Sequence, residues 1–302
     1  MDYAAMLQAV LDVIDERITE EIRVDELART AHYSTYHFCR VFMALTGTPV
    51  MHYVIRRKLA YARYDLSQGK RILDVALAYG FDTHAGFTRA FKKFFGYPPS
   101  LHRLHISASP PERATVAQVH AERGGSNMQV QIKEVAPFTL VGYASRHRMP
   151  GISKIADIPG FWEKINLSYE AALSTLHHTY AKSRHCEVAV CFDIDEKQDC
   201  FTYMLGVGVD EADADVPQRP GTYLYETQGG LYAVCTTPLV EEARYVQSIQ
   251  DTWREILDRW LPASAYEVDS ARVDYEYYDE RDHGETAQMD IYLPIRRRTE
   301  AV

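Results

Sequence analysis

The stretch "FDTHAGFTRAFKKFFGYPP", residues 81–99, decides the reading of the first third of the chain, because a looser copy, "HYSTYHFCRVFMALTGTPV", precedes it at 32–50. Phe38 and Phe87 lie 49 positions apart, as do Arg40 and Arg89, Phe42 and Phe91, Gly47 and Gly96, and Pro49 and Pro98. Upstream of the turn the offset is 48, since Ala28 matches Ala76, so one residue is inserted in the second turn. Each copy has a turn, apolar residues at helical spacing and a closing glycine. Two helix–turn–helix units joined by one linking helix are predicted.

The surrounding residues complete that plan. Met6, Val10, Val13 and Ile14 repeat at helical spacing and predict a first helix over 3–18. Asp25 is placed to cap a short helix running to about Arg29, and Ser34 to cap the helix that ends at Gly47. A longer helix over 49–67 starts near Pro49. "RILDVALAYG" at 71–80, a turn at Gly80–Asp82 and a helix over 83–95 repeat the pattern.

On the helix 35–46, Phe38, Phe42 and Leu45 face inward, which leaves Thr35, Tyr36, Cys39, Arg40 and Met43 outside. On the helix 83–95, Phe87 and Phe91 face inward, which leaves His84, Ala85, Thr88, Arg89 and Lys92 outside. Arg can contact guanine bidentately in a major groove, and the N-terminal half of a recognition helix is what reaches base edges. A single outward Arg ordinarily does no more than solvate a helix. The same Arg in two copies of the same turn and helix points to base contacts. Arg56, Arg57, Lys58, Arg71, Lys93 and Arg103 suit phosphates, which position a protein without reading sequence.

The charge is unevenly placed. Residues 1–110 hold 14 Lys and Arg against 11 Asp and Glu, and the remainder holds 19 against 31. The net charge of −9 therefore belongs to the second part of the chain. With 302 residues, 46% of them hydrophobic, the chain is long enough for two domains with real cores. No run of 18 apolar residues suggests a membrane span, and the acidic start does not resemble a secretory signal. Five cysteines, an odd number with no Cys-x-x-Cys, read as reduced thiols, and a cytoplasmic location is expected.

Residues 108–127, with their Pro-Pro and Gly-Gly pairs, read as a linker. Beyond Met128 the pattern changes to strands, and one order occurs twice. "QVQIKEVAPFTLVGYASRH" (129–147), a helix over 160–180, and strands at 186–195 and 200–209 form the first set. "GTYLYETQGGLYAVCTTPL" (221–239), a helix over 240–261, and strands at 271–280 and 287–295 form the second. The fold class expected is an all-α double helix–turn–helix domain followed by an α+β domain of two β-α-β-β repeats on an antiparallel sheet.

The domain carries nine of the 21 tyrosines on candidate strands, among them Tyr232, Tyr278 and Tyr292. Aromatic faces attract cations, and a carboxylate in an apolar cleft supplies a counter-charge. His177 and His178 are adjacent rather than four apart, and strand alternation puts Cys186 and Cys191 on opposite faces, so neither zinc nor any cofactor is expected.

Segment 81–103, with Gly80-Phe81, Phe87, Arg89, Phe91, Lys92, Gly96, Pro99 and Arg103, resembles the signature of the AraC/XylS transcriptional regulators. The resemblance covers residues 3–105 and implies a DNA-binding domain over 1–107. It implies recognition of double-stranded DNA through Tyr36, Cys39, Arg40, His84, Ala85, Gly86 and Arg89, by one chain per site, with RNA polymerase as a further partner. Residues 128–298 resemble the GyrI-like effector-binding domains, through "IPGFWEKI" (158–165), "GGLYAVCTTP" (229–238), "YEYYDERD" (275–282) and "MDIYLPI" (289–295). That resemblance implies a small hydrophobic or cationic effector. Glu276 matches the acid of the family's aromatic-Glu-x-Tyr strand and becomes the expected anchor, with Trp162, Tyr232, Tyr278 and Tyr292 around it. The expectation is a non-enzymatic regulator. The alternative is a domain that hydrolyses or sequesters a toxic small molecule, with Glu276 as general base.

Overall fold

The computed structural model describes residues 3–106, 108–121, 128–149, 175–180, 186–209, 221–282 and 285–298. They form two compact units: Met1–Phe94 with Ser107–Gly125, and Phe95–Ile106 with Ser126–Val302.

In the first unit, α1 (Tyr3–Glu16) buries Leu7, Val10, Leu11 and Ile14. Helix α2 (Val24–Thr30) starts after Arg23, whose backbone N–H donates to Glu26 Oε2 at 3.4 Å. Asp25, expected to cap it, lies inside its first turn, where a negative charge suits the helix dipole. Helix α3 (Thr35–Thr46) is capped as read: Ser34 Oγ accepts from the His37 N–H at 3.3 Å, and Gly47 turns left-handed at φ 70° to end it. Helix α4 (Val50–Ser67) follows Pro49, and α5 (Ile72–Ala78) leads to α6 (His84–Phe95). The Gly86 N–H donates to Thr83 Oγ1 at 3.0 Å at the head of α6.

The repeat in the sequence is a repeat in the packing. Phe38, Phe42, Phe87 and Phe91 are all fully buried. The ring centroids of Phe38 and Phe42 are 5.7 Å apart, and so are those of Phe87 and Phe91. Each such ring contributes about 1.5–3 kcal/mol by burial.

The first part of the expected linker is docked on this unit. Arg57 donates to the Asp15 carboxylate from Nε at 2.8 Å and from Nη2 at 2.7 Å. The Ala114 N–H donates to the same carboxylate at 2.8 Å. Gln8 closes a second clasp, donating to the Ala114 carbonyl at 2.9 Å and accepting from the Val116 N–H at 3.1 Å. Helix α8 (Val116–Ala121) follows.

Among the described residues, the second unit contains α7 (Pro99–His105) and a nine-stranded sheet. Its strands are β1 (Gln131–Val135), β2 (Thr139–Arg148), β3 (Cys186–Asp195), β4 (Cys200–Gly208), β5 (Tyr223–Glu226), β6 (Gly230–Thr236), β8 (Tyr266–Val268), β9 (Tyr275–Asp279) and β11 (Asp290–Arg297). A separate two-stranded ladder joins β7 (Val240–Glu241) to β10 (Thr286–Ala287). The main order is β1-β6-β11-β9-β3-β4-β2-β5, with β8 on β11, and every pair is antiparallel.

The two expected repeats are visible as β3-β4-β2 and β9-β11-β6, placed back to back across the β3–β9 pair. Their outermost strands are exchanged: β1 closes the second half by pairing with β6, and β5 closes the first by pairing with β2. Residues 175–180 form α9, and Glu242–Glu255 form α10, which runs into a π-helical turn at Ile256–Trp260. His177 Nε2 on α9 lies 3.0 Å from Glu187 Oε1, and Trp253 on α10 donates to Glu276. Glu187 pairs with Tyr278 in the β3–β9 register, two residues along from Glu276, so both helices cover the same face.

Candidate DNA-binding and effector-binding sites

On α3, Thr35, Tyr36 and Arg40 are exposed and Cys39 is half-buried. Tyr36 is 74% exposed, too much for a core role, and the Arg40 guanidinium lies over its ring at 5.8 Å. On α6, Ala85, Arg89 and Lys93 are exposed, while His84, Thr88 and Lys92 are half-buried. Both repeated Arg residues are therefore exposed on equivalent outer faces. Thr88 and His84 depart from the expectation, because Thr88 Oγ1 and His84 Nε2 are buried and a base contact through either atom is closed in this arrangement.

Three of the cations suited to phosphates are otherwise engaged. Arg57 serves Asp15. Lys58 Nζ donates to the carbonyls of Glu20 at 2.7 Å and Tyr79 at 3.2 Å. The side chain of Arg103 is 1% exposed and pairs with Asp199. Lys93, with Arg71, remains exposed.

In the second unit, the β9–β11 register sets Glu276 opposite Ile291 and Tyr275 opposite Tyr292. Opposed residues share a face and neighbours along a strand do not, so the expected effector residues are divided. Glu276 and Tyr278 face α10. Trp253 donates from Nε1 to Glu276 Oε1 at 3.1 Å, and the Tyr278 hydroxyl donates to Glu276 Oε2 at 2.7 Å. Burial first, and then the charge of Glu276, hold the Tyr278 phenol well above its usual pKa. Burial, followed by the charges of Asp274 and Glu276, does the same to the Cys191 thiol.

Tyr232 and Tyr292 lie on the opposite face, with ring centroids 6.3 Å apart. Tyr275 stacks on Tyr292 at 4.6 Å, and both join a core of Leu140, Val188, Val190 and Met204. That face brings its own cations: Arg272 lies 5.2 Å from the Tyr232 centroid and Lys133 lies 6.0 Å from that of Tyr292. Trp162 lies outside the described residues.

Sequence reasoning missed Trp253, which is 1% exposed, and His105, whose ring stacks on it at 3.8 Å and 13°. Nothing local marks either of them, since one sits mid-helix and the other ends a segment assigned to the DNA-binding domain. None of the five cysteines is joined in a disulfide among the described residues. Among the described residues no cluster of three or more His, Cys, Asp or Glu suits a metal ion, and no single helix is long and apolar enough to cross a membrane.

The helix-turn-helix domain model matches residues 27–104, and the model of the integron-associated effector binding protein family, Cass2, matches residues 131–295. The chain belongs to the Cass2 family, joined to an AraC-type helix–turn–helix domain. It is 31% identical over 102 residues to the transcriptional activator AarP of Providencia stuartii, a match covering 33% of this chain and 76% of AarP. It is 36% identical over 104 residues to the right origin-binding protein of Escherichia coli K12, covering 34% of this chain and 36% of that protein. A solved integron cassette protein from Vibrio cholerae is similar at 17% identity with a TM-score of 0.36, covering 57% of this chain and 98% of its own. The regulator thus binds DNA through its first region and carries an effector-binding domain in its second. Curated relatives named as transcriptional activators and regulators place it with regulators rather than enzymes.

Proposed function

We propose that this regulator reads duplex DNA as a single molecule in the cytoplasm, acting with RNA polymerase, and that a small hydrophobic cation is its effector. Arg40 and Arg89 read base edges, and Tyr36, Cys39, His84 and Ala85 line the same two outer faces. Lys92 and Lys93 hold phosphates. Two recognition helices on one chain suit two successive major grooves, about 34 Å apart. One protein per asymmetric site of about 20 base pairs is expected. Sedimentation that finds only two proteins on a minimal site overturns the single-molecule reading.

The observation that carries the effector reading is the Glu276 carboxylate. It is half-buried among aromatics, and its two oxygens are held by Trp253 Nε1 and the Tyr278 hydroxyl. A carboxylate fixed beside an indole in a poorly solvated site favours an aromatic cation and rejects an anion of the same shape. The tyrosine face is a weaker candidate, because Arg272 and Lys133 already supply positive charge there. Rhodamine 6G, a flat cationic dye, serves as the probe. Glu276→Gln keeps the shape and removes the charge. Calorimetry should show dye affinity falling about tenfold or more, for a cation worth ~0.5–2 kcal/mol per aromatic face plus its counter-charge. A neutral dye of similar size should be less affected and DNA binding unchanged. Equal affinity of wild type and variant for the dye removes Glu276 as anchor.

A further inference from the structure

The indole beside Glu276 is already covered by another side chain of the same chain. Helix α7 carries His105 against the indole of Trp253, with ring centroids 3.8 Å apart and planes 13° from parallel. The His105 Nε2 lies 2.8 Å from Asp274 Oδ2, and the two side chains are 10% and 13% exposed. Asp274 lies two residues before Glu276, and the same indole that stacks on His105 donates to Glu276. A flat nitrogen ring lies against Trp253, with one carboxylate at its edge and a second beside the indole. Those are the contacts that an aromatic cation would seek.

The segment bearing His105 is held at other points as well. The Val268 N–H donates to the Gly96 carbonyl at 2.7 Å, and buried Arg103 pairs with Asp199. This segment also follows α6 directly: α6 ends at Phe95, α7 begins at Pro99, and only Gly96, Tyr97 and Pro98 intervene. The helix-turn-helix model runs through this boundary to residue 104, although residues 95–106 pack with the sheet.

We propose that His105 is the resident occupant of the effector site, and that effector and His105 exclude one another. An effector that takes the face of Trp253 expels the end of α7 and loosens the chain that continues from the second recognition helix. The inference rests on the reading of Glu276 as effector anchor. A ligand shifts an equilibrium only by its differential affinity for the two states, so the resident ring lowers the apparent effector affinity by the fraction of time that the site is closed.

The test uses the full chain and rhodamine 6G, with His105→Ala, His105→Gln and Glu276→Gln as variants. His105→Ala and His105→Gln should each bind the dye about three- to tenfold more tightly than wild type, the scale of one lost aromatic stack. Hydrogen exchange provides a second readout: saturating dye should speed exchange of the Ile106 amide, which bonds to the His102 carbonyl at 2.9 Å in α7, and leave the β3–β4 amides protected. Dye binding that requires Glu276 but is equal or weaker in both His105 variants, with α7 exchange unchanged at saturation, overturns the exclusion and leaves the anchor standing. Dye binding that is insensitive to Glu276→Gln, or absent altogether, overturns the anchor and the exclusion with it.

Discussion

Each helix–turn–helix unit closes on itself, with its own cap, its own pair of buried phenylalanines and its own left-handed glycine. Neither half of the sheet does so, because β1 completes the second half and β5 completes the first. Both regions are duplications of one motif. In the helical region duplication produced two helix–turn–helix units, each packed around its own pair of rings. In the sheet it produced one cooperative body whose halves cannot be separated without baring two edges.

The contrast is open to direct attack. Gly142 and Gly206 face each other across β2 and β4, and a Cβ on Gly142 would collide with the Leu205 carbonyl. Gly142→Val should therefore cost about 4–5 kcal/mol or more and remove amide protection across the whole sheet, including β6 and β11. If β6 and β11 stay protected while β2 and β4 open, the halves are independent and the contrast fails. In the helical region Phe91→Ala should cost about 3–5 kcal/mol and act mainly on the second helix–turn–helix unit. Exchange of α3 amides, around the separate Phe38–Phe42 pair, should be disturbed less than that of α6.

Alkaline titration sharpens the same comparison. Burial pushes Tyr232 from its ordinary value of 10.0 up to about 12, and Cys235 from 9.0 up to about 12. Both groups hold their protons more tightly when folded. Their contribution is complete below the unfolded values and is lost as pH rises toward the folded ones. Stability of the sheet, followed by tyrosine absorbance and urea midpoint, should fall from about pH 9 to 12. A midpoint that stays flat through that range contradicts the burial of these groups.

The smallest effects belong to the proposed DNA-reading surface. Arg89→Ala should cost about 1–3 kcal/mol on a cognate site and relax one base preference, and Arg40→Ala should do the same at a second position. Lys93→Ala should weaken all sequences alike and lower the salt slope by about 1. Titrations in which Arg89→Ala leaves discrimination among sites unchanged remove its base-reading role.

Much of the helical region was legible in the sequence, because its determinants are local. Ser34, Gly47, Gly96 and the Phe pairs act within a turn or two of where they stand, so a fixed offset of 49 residues carries over to the packing. The order of strands and helices in the sheet was legible for the same reason. The division of the tyrosines was not, because it depends on register: one step along β9 moves a side chain from Glu276's face to Tyr275's. Glu276 could be named only as a candidate, and its partner Trp253 is 23 residues away on another element, with His105 further still. The docking of residues 112–116 was likewise hidden, since Gln8 and Asp15 reach them across about a hundred residues.

The exchanged strands also set a schedule for synthesis. β1 ends at Val135 and its partner β6 begins at Gly230, so 95 positions separate the two. At about 5–20 residues per second, β1 waits several seconds or more for the strand that pairs it. An unpaired edge is a template for joining other chains, and charge on the strand blunts that hazard. The sequence of β1 is Gln-Ile-Lys-Glu-Val, and Lys133 and Glu134 at its centre remain exposed even in the finished fold. Among the described strands, the one that must wait longest for its partner is thus mostly polar, a composition that suits a segment kept waiting in water on a crowded ribosome.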